Sequence, residues 1–258
     1  MLKPEERYAV FIDIDGTLIA DKYVVPQKNL DAIAAARAKG HMVFINTGRS
    51  WGNIPEVLRN QLDVDGYIVG SGSMITVGDE TVFRAALGED LLKRITQYAF
   101  EHREFWYVFE GLNRVYALSN DVRKRENFQI PLESAEDYKL MNTDDEIQVI
   151  AMGKEISEDF KETFKEEITV FQFSYYADLV IKGLNKAVGI QKVLDKTGIK
   201  RENTIAIGDS NNDYDMLKFA GIGVAMANSQ QRIIDVADYV TDSNFECGVA
   251  KAIEKFLL

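Results

Sequence analysis

Short apolar runs alternate with amphipathic stretches through the first third of the chain. The runs 8–12, 42–45 and 67–69 are apolar throughout, which predicts three buried strands. Residues 30–36 and 50–62, which lie between them, carry the mixed polar and apolar pattern of helices. The second of these helices is expected to be broken or to start near Pro55. This β-α-β-α-β alternation predicts a parallel sheet with helices on both of its faces.

The pattern changes between residues 75 and 182. The sequence there predicts a hairpin, two helices and several short strands. Ser157 is the candidate N-cap of the second helix. Helices mixed with strands that look antiparallel predict an α+β unit. The predicted elements are a hairpin at 75–83, helices at 91–102 and 157–167, and strands at 105–110, 115–118, 147–152, 171–176 and 179–181.

The pattern of the first third returns after residue 182. The sequence therefore predicts an α/β fold with a Rossmann-like parallel-sheet core, formed by residues 1–80 and 183–258. Residues 81–182 are predicted to form an inserted α+β domain. The elements predicted for the last part of the core are helices at 188–197, 212–219, 229–236 and 248–257, and strands at 204–207, 222–226 and 239–241.

Composition narrows the classes of partner. The 258 residues carry a formal net charge of −11, which argues against nucleic acid or an anionic membrane surface as the main partner. Cys247 is the single cysteine, which fits a reducing compartment. The N-terminal segment has no signal-peptide pattern, and no apolar run approaches the roughly 18 residues of a membrane span. We therefore expect a cytoplasmic protein.

The most informative motif is Asp13-Ile14-Asp15-Gly16-Thr17-Leu18, which follows the first predicted strand. Two carboxylates spaced two residues apart at the end of a strand point to the same side. Because like charges repel at short range, such a pair usually serves a cation or a proton transfer. The alternative is an ordinary turn with solvated acids.

A second acidic motif, Gly208-Asp209-Ser210-Asn211-Asn212-Asp213, also follows a predicted buried strand and opens a helix. Ligands bind at the carboxyl ends of parallel strands, so the two acidic loops can meet in one crevice. Their carboxylates, Asp13, Asp15, Asp209 and Asp213, are the oxygen ligands that suit Mg²⁺. Helix capping would explain one residue of the second motif, but not carboxylates at two strand ends.

Two shorter features indicate a function only together with the two acidic motifs. Thr47-Gly48 follows another strand of the same predicted sheet, where a hydroxyl and an unhindered backbone N–H can bind phosphate oxygens. Alone, Thr-Gly is an ordinary turn. Lys186 alone would be a solvated lysine at a helix start, but beside several carboxylates and a phosphate it would neutralise charge.

Taken together, these segments resemble the four motifs of the haloacid dehalogenase-like (HAD) phosphohydrolases. Their order and spacing are similar to the Cof-type sugar-phosphatase branch, in which an α+β cap is inserted between the second and third motifs. The sequence departs from the usual pattern in two places. Asn46 stands where Ala is more usual, and the segment 70–73 stands where Asn-Gly-Ala is common. The segments that carry the resemblance are Asp13-Ile14-Asp15-Gly16-Thr17, Thr47-Gly48-Arg49, Lys186, Gly208-Asp209-Ser210-Asn211-Asn212-Asp213 and 221–229.

The resemblance implies a Mg²⁺-dependent phosphatase of small phosphate monoesters, such as sugar phosphates. Asp13 would attack phosphorus and form an aspartyl-phosphate, and Asp15 would serve first as the acid and then as the base. Mg²⁺ would be held by the Asp13 carboxylate, the Asp15 backbone carbonyl and Asp209, with Asp213 acting directly or through a water. The groups expected to bind the phosphoryl oxygens are Thr47, Gly48, Lys186 and Asn212.

Other functions remain open at this point. The same aspartyl-phosphate would serve a phosphotransferase or mutase. A non-enzymatic module could use the fold to bind a phospholigand and regulate a partner. A third alternative is a phospho-acceptor receiver domain with an acidic Mg²⁺ pocket, but the chain is about twice too long for a lone receiver, and Asp15 would have no task there. The expected partner is a small phosphorylated metabolite, and we expect a monomer or a weak homo-oligomer.

Overall fold

The computed structural model describes residues 6–21, 23–118, 129–153 and 156–258. The described chain divides into two compact units. The first comprises the described parts of Met1–Thr47, Pro55–Phe83 and Asn185–Leu258. The second comprises those of Gly48–Ile54 and Arg84–Leu184. The first five residues, which the sequence analysis found to lack a signal-peptide pattern, lie outside the described part.

The strands alternate with helices in the first unit and cluster in the second. In chain order the strands are β1 (Ala9–Ile12), β2 (Met42–Asn46), β3 (Gly66–Val69), β4 (Met74–Val77), β5 (Glu80–Arg84), β6 (Tyr107–Gly111), β7 (Val115–Leu118), β8 (Ile130–Pro131), β9 (Ile147–Gly153), β10 (Ile168–Gln172), β11 (Tyr176–Ile181), β12 (Thr204–Gly208), β13 (Ile222–Ala225) and β14 (Tyr239–Val240). The helices are α1 (Gln27–Ala38), α2 (Glu56–Arg59), α3 (Glu89–Glu101), α4 (Tyr138–Asp144), α5 (Glu158–Phe164), α6 (Lys186–Thr197), α7 (Tyr214–Phe219), α8 (Gln231–Ile234) and α9 (Gly248–Leu257).

The first unit is built on a sheet of eight strands in the order β14-β13-β12-β1-β2-β3-β4-β5. The pairings from β14 to β3 are parallel, and β4 pairs antiparallel with β3. β1 lies between β12 and β2, with Val10 opposite Ile205 on one side and Val43 on the other. All four β1 residues are buried, as a strand covered on both faces requires. The predicted α/β fold with a parallel sheet is confirmed.

The second unit contains a sheet of six strands in the order β10-β11-β9-β6-β7-β8. Its pairings are antiparallel except that between β7 and β8. The aromatic side chains of Tyr107 and Phe109 are fully buried in its core, together with Phe160 of α5. Ser157 caps α5, because its hydroxyl accepts a hydrogen bond from the Phe160 N–H at 3.1 Å. The predicted α+β character of this part of the chain and the predicted N-cap of α5 are confirmed.

One strand prediction was wrong, and one predicted helix is shorter than its sequence pattern. Residues 171–176 were predicted as one strand, but the chain turns there, and the Phe173 N–H donates to the Tyr176 carbonyl at 2.8 Å. Of the helix predicted over 50–62, the α-helical part within the described residues is α2, which begins after Pro55, where the sequence predicted a break or a start. The segment Gly48–Ile54 belongs to the second compact unit. Within the described residues, no helix is both long enough and apolar enough to cross a membrane.

Candidate active site

Asp13 follows the central strand β1 directly. Its N–H donates to the Ile207 carbonyl at 3.0 Å, which continues the pairing of β1 with β12 beyond the last strand residue. The Asp13 carbonyl then accepts the Leu18 N–H at 3.2 Å and closes a tight loop. Gly16 turns this loop with a φ of +80°, in the left-handed region that favours glycine. The loop buries the Asp13 side chain and leaves that of Asp15 exposed.

The second acidic loop follows β12 and is fixed by Asp213. The Asp213 Oδ2 atom accepts the backbone N–H groups of Asp209 at 3.0 Å and of Ser210 at 2.9 Å. Asp213 therefore closes a capping box with Ser210 at the start of a helical segment. This use of one Asp as a cap was the structural alternative considered from the sequence, and it applies to Asp213 but not to Asp209.

The two acidic loops contact each other. The Thr17 hydroxyl donates a hydrogen bond to Asp209 Oδ1 at 3.0 Å. The α-carbon of Gly16 approaches Asp209 so closely that an added β-carbon would lie 2.4 Å from Oδ2. Asp209 is thus held in place by the loop that carries Asp13, as expected for residues at the carboxyl ends of neighbouring parallel strands.

Lys186 lies between the carboxylates of both loops. It is the first residue of α6, and the Asn185 side chain caps that helix by accepting the Val188 N–H at 2.8 Å. The Lys186 Nζ atom lies 2.6 Å from Asp13 Oδ1 and 2.5 Å from Asp213 Oδ1. The Lys186 side chain is fully buried, so solvent screens these ion pairs little.

Burial and charge shift the pKa values of this cluster. Burial raises the pKa of Asp13 well above its ordinary value; Asp213, Asp209 and Asp15 raise it further, and Lys186 opposes them. Burial, followed by the charge of Asp213, raises the pKa of Asp209 to about 7. Burial disfavours the Lys186 ammonium, but its two carboxylate partners outweigh that effect and raise its pKa. One lysine therefore compensates the buried acids only in part.

The donor set fits a hard divalent cation. One ligand oxygen each from Asp13, Asp209 and Asp213 lies within 4.8 Å of the others. Asp13 Oδ2 is buried and, within the described part of the chain, has no hydrogen-bond partner. Carboxylate oxygens are the ligands that Mg²⁺ prefers, and a cation would satisfy this oxygen and relieve the repulsion. The Asp15 carboxylate lies outside this group, so its expected contribution rests on its backbone carbonyl.

Two of the residues expected to bind phosphate follow β2 and β12, the strands on either side of β1. Thr47 is buried directly after β2; its N–H donates to the Ile68 carbonyl at 2.9 Å, and its carbonyl accepts the Ser71 N–H at 3.0 Å. Asn212 is buried in the second acidic loop, where its Oδ1 accepts the Ser210 hydroxyl at 2.9 Å. Gly48 follows Thr47 in the chain and is the first residue of the second unit.

Sequence reasoning assigned no role to three residues that support the site. Thr17 holds Asp209, as described above. Asn228, in the loop after β13, donates from Nδ2 to the Gly16 carbonyl at 2.8 Å. Asn46 ends β2 and donates from Nδ2 to the Lys186 carbonyl at 3.2 Å. The available signal was position, because each of the three lies at or near the carboxyl end of a parallel strand.

Comparison with known proteins gives concordant matches. The sequence matches the haloacid dehalogenase-like hydrolase family over residues 10–253. Two curated relatives from Bacillus subtilis (strain 168), YcsE and YitU, are named 5-amino-6-(5-phospho-D-ribitylamino)uracil phosphatases. YcsE is 32% identical over 252 residues, which cover 96% of this chain and 95% of YcsE. YitU is 27% identical over 263 residues, which cover 96% of this chain and 97% of YitU.

Two solved structures that are similar to this chain are also described as phosphatases. The structure described as the HAD subclass IIB sugar phosphatase BT4131 matches with a TM-score of 0.81 and 29% identity, over 96% of this chain and 98% of BT4131. The phosphatase BT1666 from Bacteroides thetaiotaomicron matches with a TM-score of 0.83 and 25% identity, over 99% of this chain and 98% of BT1666.

Proposed function

The chain belongs to the haloacid dehalogenase-like hydrolase family and is a phosphoric monoester hydrolase, and on that premise we propose that it is a Mg²⁺-dependent phosphatase of small phosphate monoesters acting through an aspartyl-phosphate. The observation that carries this proposal is the state of Asp13. One of its carboxylate oxygens is paired with Lys186, while the other is buried without a hydrogen-bond partner among the described residues.

Asp13 is the proposed nucleophile. A carboxylate oxygen of Asp13 attacks phosphorus, and the bond from phosphorus to the ester oxygen breaks. Lys186 fixes the orientation of the carboxylate, and its charge opposes the effect of burial, which raises the pKa of Asp13. Mg²⁺, when bound by Asp13, Asp209 and the Asp15 carbonyl, supplies positive charge that lets the two anions approach. Asp213 is engaged by Lys186 and two backbone N–H groups, which supports a role through these partners.

Lys186, Thr47, Gly48 and Asn212 are the proposed phosphoryl-binding groups. An ammonium has three N–H donors, and two acceptors are within reach of Lys186 Nζ among the described residues, Asp13 and Asp213. The third donor is available for a phosphoryl oxygen, where its charge stabilises the transition state. The Thr47 hydroxyl and the Gly48 N–H, at the end of β2, are proposed to contact the other oxygens.

Asp15 is the proposed acid and base. In the first step it gives a proton to the leaving alkoxide. In the second step it accepts a proton from the water that attacks phosphorus, which releases phosphate and restores the Asp13 carboxylate. The exposed position of the Asp15 side chain supports a role toward the leaving group, because Asp13 takes the buried position in the same loop.

We propose phosphorylated sugars, polyols or similar alcohols as the substrate class. Two relatives are named for a phosphorylated ribitylamino compound, and BT4131 is described as a sugar phosphatase. The six-stranded second unit is the proposed cap, which would select the leaving group. The predicted boundaries of this cap, residues 81–182, stay a proposal, as does the assignment of 1–80 and 183–258 to the catalytic core.

The test is phosphate release from a panel of sugar phosphates, polyol phosphates, flavin mononucleotide, nucleotides, pyridoxal phosphate and a nitrophenyl ester. We expect release with Mg²⁺, loss with EDTA, and a loss of at least about 10³-fold in kcat for Asp13→Asn. Asp31→Asn, which removes an exposed carboxylate from α1, is the control and should keep wild-type activity. Folded protein that releases no phosphate from any ester would overturn the proposal.

The same assay separates hydrolysis from phosphoryl transfer. A mutase or phosphotransferase would pass the phosphoryl group from Asp13 to a second hydroxyl, so the product would be another ester. We expect free phosphate to account for all substrate consumed, even with an added sugar or polyol acceptor. Phosphorylated acceptor in place of free phosphate would favour the phosphotransferase.

A further inference from the structure

Asn46 connects the backbones of two proposed phosphoryl-binding residues. It is the last residue of β2 and is fully buried, and the next residue in the chain is Thr47. Its Nδ2 atom donates to the backbone carbonyl of Lys186 at 3.2 Å and lies 3.4 Å from the Met216 sulfur. A single side chain at the end of β2 thus joins the strand that carries Thr47 to the first residue of α6.

The position of the Lys186 ammonium depends on this backbone. A lysine side chain has four rotatable bonds, and fixing it in one buried conformation is entropically costly. The short contacts of Nζ with Asp13 and Asp213 are kept only if the α-carbon of Lys186 stays at the right distance. Asn185 caps α6 and is itself tied to Asp215 at 3.1 Å, but these contacts bind α6 to α7 and not to β2.

The oxygen of the Asn46 amide carries a cost in stability. Asn46 Oδ1 is buried and has no hydrogen-bond partner within the described residues. A buried polar atom without a partner destabilises the folded state, and an apolar side chain would avoid that penalty. What the amide adds over an apolar side chain is its donor half, which bonds the Lys186 carbonyl.

We infer that Asn46 is a positioning residue that sets the separation between Thr47 and Lys186. This inference rests on the proposed function, in which both residues bind the transferred phosphoryl group. The Thr47 main chain is fixed on its other side by Ile68 and Ser71 of the β3 strand and loop. Asn46 adds the link toward α6, so the two phosphoryl-binding groups keep one spacing.

The role predicts a specific pattern in two variants. Asn46→Ala removes the donor and most of the side chain, whereas Asn46→Leu removes the donor and keeps the number and branching of the side-chain heavy atoms. Both are expected to weaken the affinity for inorganic phosphate with Mg²⁺ on the order of tenfold, the effect of one lost buried hydrogen bond. kcat/KM should fall by the same factor for two esters with different leaving groups, because Thr47 and Lys186 contact the phosphoryl group common to both.

Stability provides the contrasting readout. The variants remove an unsatisfied buried oxygen, so at least Asn46→Leu should melt at or near the wild-type temperature while phosphate binding weakens. Asn203→Ala is the matched control. The Asn203 side chain is also buried and donates to Glu6 at 2.6 Å, but Asn203 precedes β12, whereas Asn46 lies at the carboxyl end of β2. That variant should melt at a lower temperature and bind phosphate as the wild type does.

Phosphate affinity is measured by calorimetric titration and, independently, as product inhibition. Unchanged affinity in both Asn46 variants would overturn the inference, and so would a loss in kcat/KM confined to one ester, which would indicate leaving-group recognition. Wild-type protein that hydrolyses no ester would count against the proposed function alone, because the titration with phosphate would still report on Asn46.

Discussion

Gly16 lies against Asp209 with no room for a side chain between them. A β-carbon on Gly16 would come within 2.4 Å of Asp209 Oδ2 and 2.8 Å of its carboxyl carbon. Gly16 also has a φ of +80°, which L-residues rarely adopt. The position of one proposed metal ligand is therefore set by the missing side chain of a residue in the other acidic loop.

Gly16→Ala is expected to displace the Asp209 carboxylate and to weaken Mg²⁺ binding by at least about tenfold, since the ligand must move or rotate. Thermal melting at increasing Mg²⁺ concentrations measures this, because a ligand that binds the folded state raises its melting temperature. Gly40→Ala is the matched control, with a φ of +89° and nothing within 4 Å of the added carbon. Both variants share the backbone strain, so an equal loss of the Mg²⁺ response in both would contradict the prediction.

Lys186→Met is expected to lower the free energy of unfolding by about 3–5 kcal/mol in EDTA at neutral pH, because it leaves Asp13 and Asp213 buried without their cation. Urea denaturation measures the change. Lys196→Met, on the same helix, removes an exposed pair with Glu80 and should have little effect. If the two variants lost equal stability, the buried ion pairs would not be important for folding.

His41 is expected to make the fold less stable in mild acid. Burial, together with Lys39 and Arg7, lowers the pKa of His41 from its ordinary value of 6.5, and its Nδ1 accepts the Tyr8 N–H at 3.2 Å. Below pH 6.5 the unfolded chain binds a proton at His41 that the folded chain does not, so stability falls as the pH decreases.

His41→Gln removes this titration. The melting temperature of the variant should fall less between pH 7.5 and about 5.5 than that of the wild type. His102→Gln, which removes the other histidine of the chain, is the control and should keep the wild-type dependence. A pH dependence that is the same in all three proteins would show that His41 is not its source.

Sequence patterns were most informative where chemistry and strand order coincide. Apolar strands followed by Asp13 and Asp209 implied neighbouring strand ends, and the structure joins the two loops through Thr17. The contact between Asp13 and Lys186 links residues 173 positions apart, and no local pattern marks a lysine as buried. A lysine at a helix start is usually solvated, so its burial depends on acids contributed by distant segments.

The turn within residues 171–176 and the place of Gly48–Ile54 depend on particular side chains. Residues 171–176 are rich in strand-forming residues and lack the Gly, Pro or Asn that mark turns, but the chain turns there because Gln172 supplies the contacts. Its amide nitrogen, Nε2, donates to the carbonyls of Phe173 at 2.8 Å and Tyr176 at 3.0 Å. The segment Gly48–Ile54 could not be assigned from sequence because its anchor is a distant strand: the Ser50 N–H donates to the Glu110 carboxylate at 3.1 Å.

The place of β1 between β2 and β12 has a consequence for synthesis on the ribosome. β2 emerges soon after β1, but the strand on the other side begins only at Thr204. Until then the nascent chain holds β1 with one edge unpaired and Asp13 without the loop that contains Asp209. The proposed hydrolytic centre therefore cannot form before β12 is synthesised, and until then the open edge of β1 is able to pair with other chains.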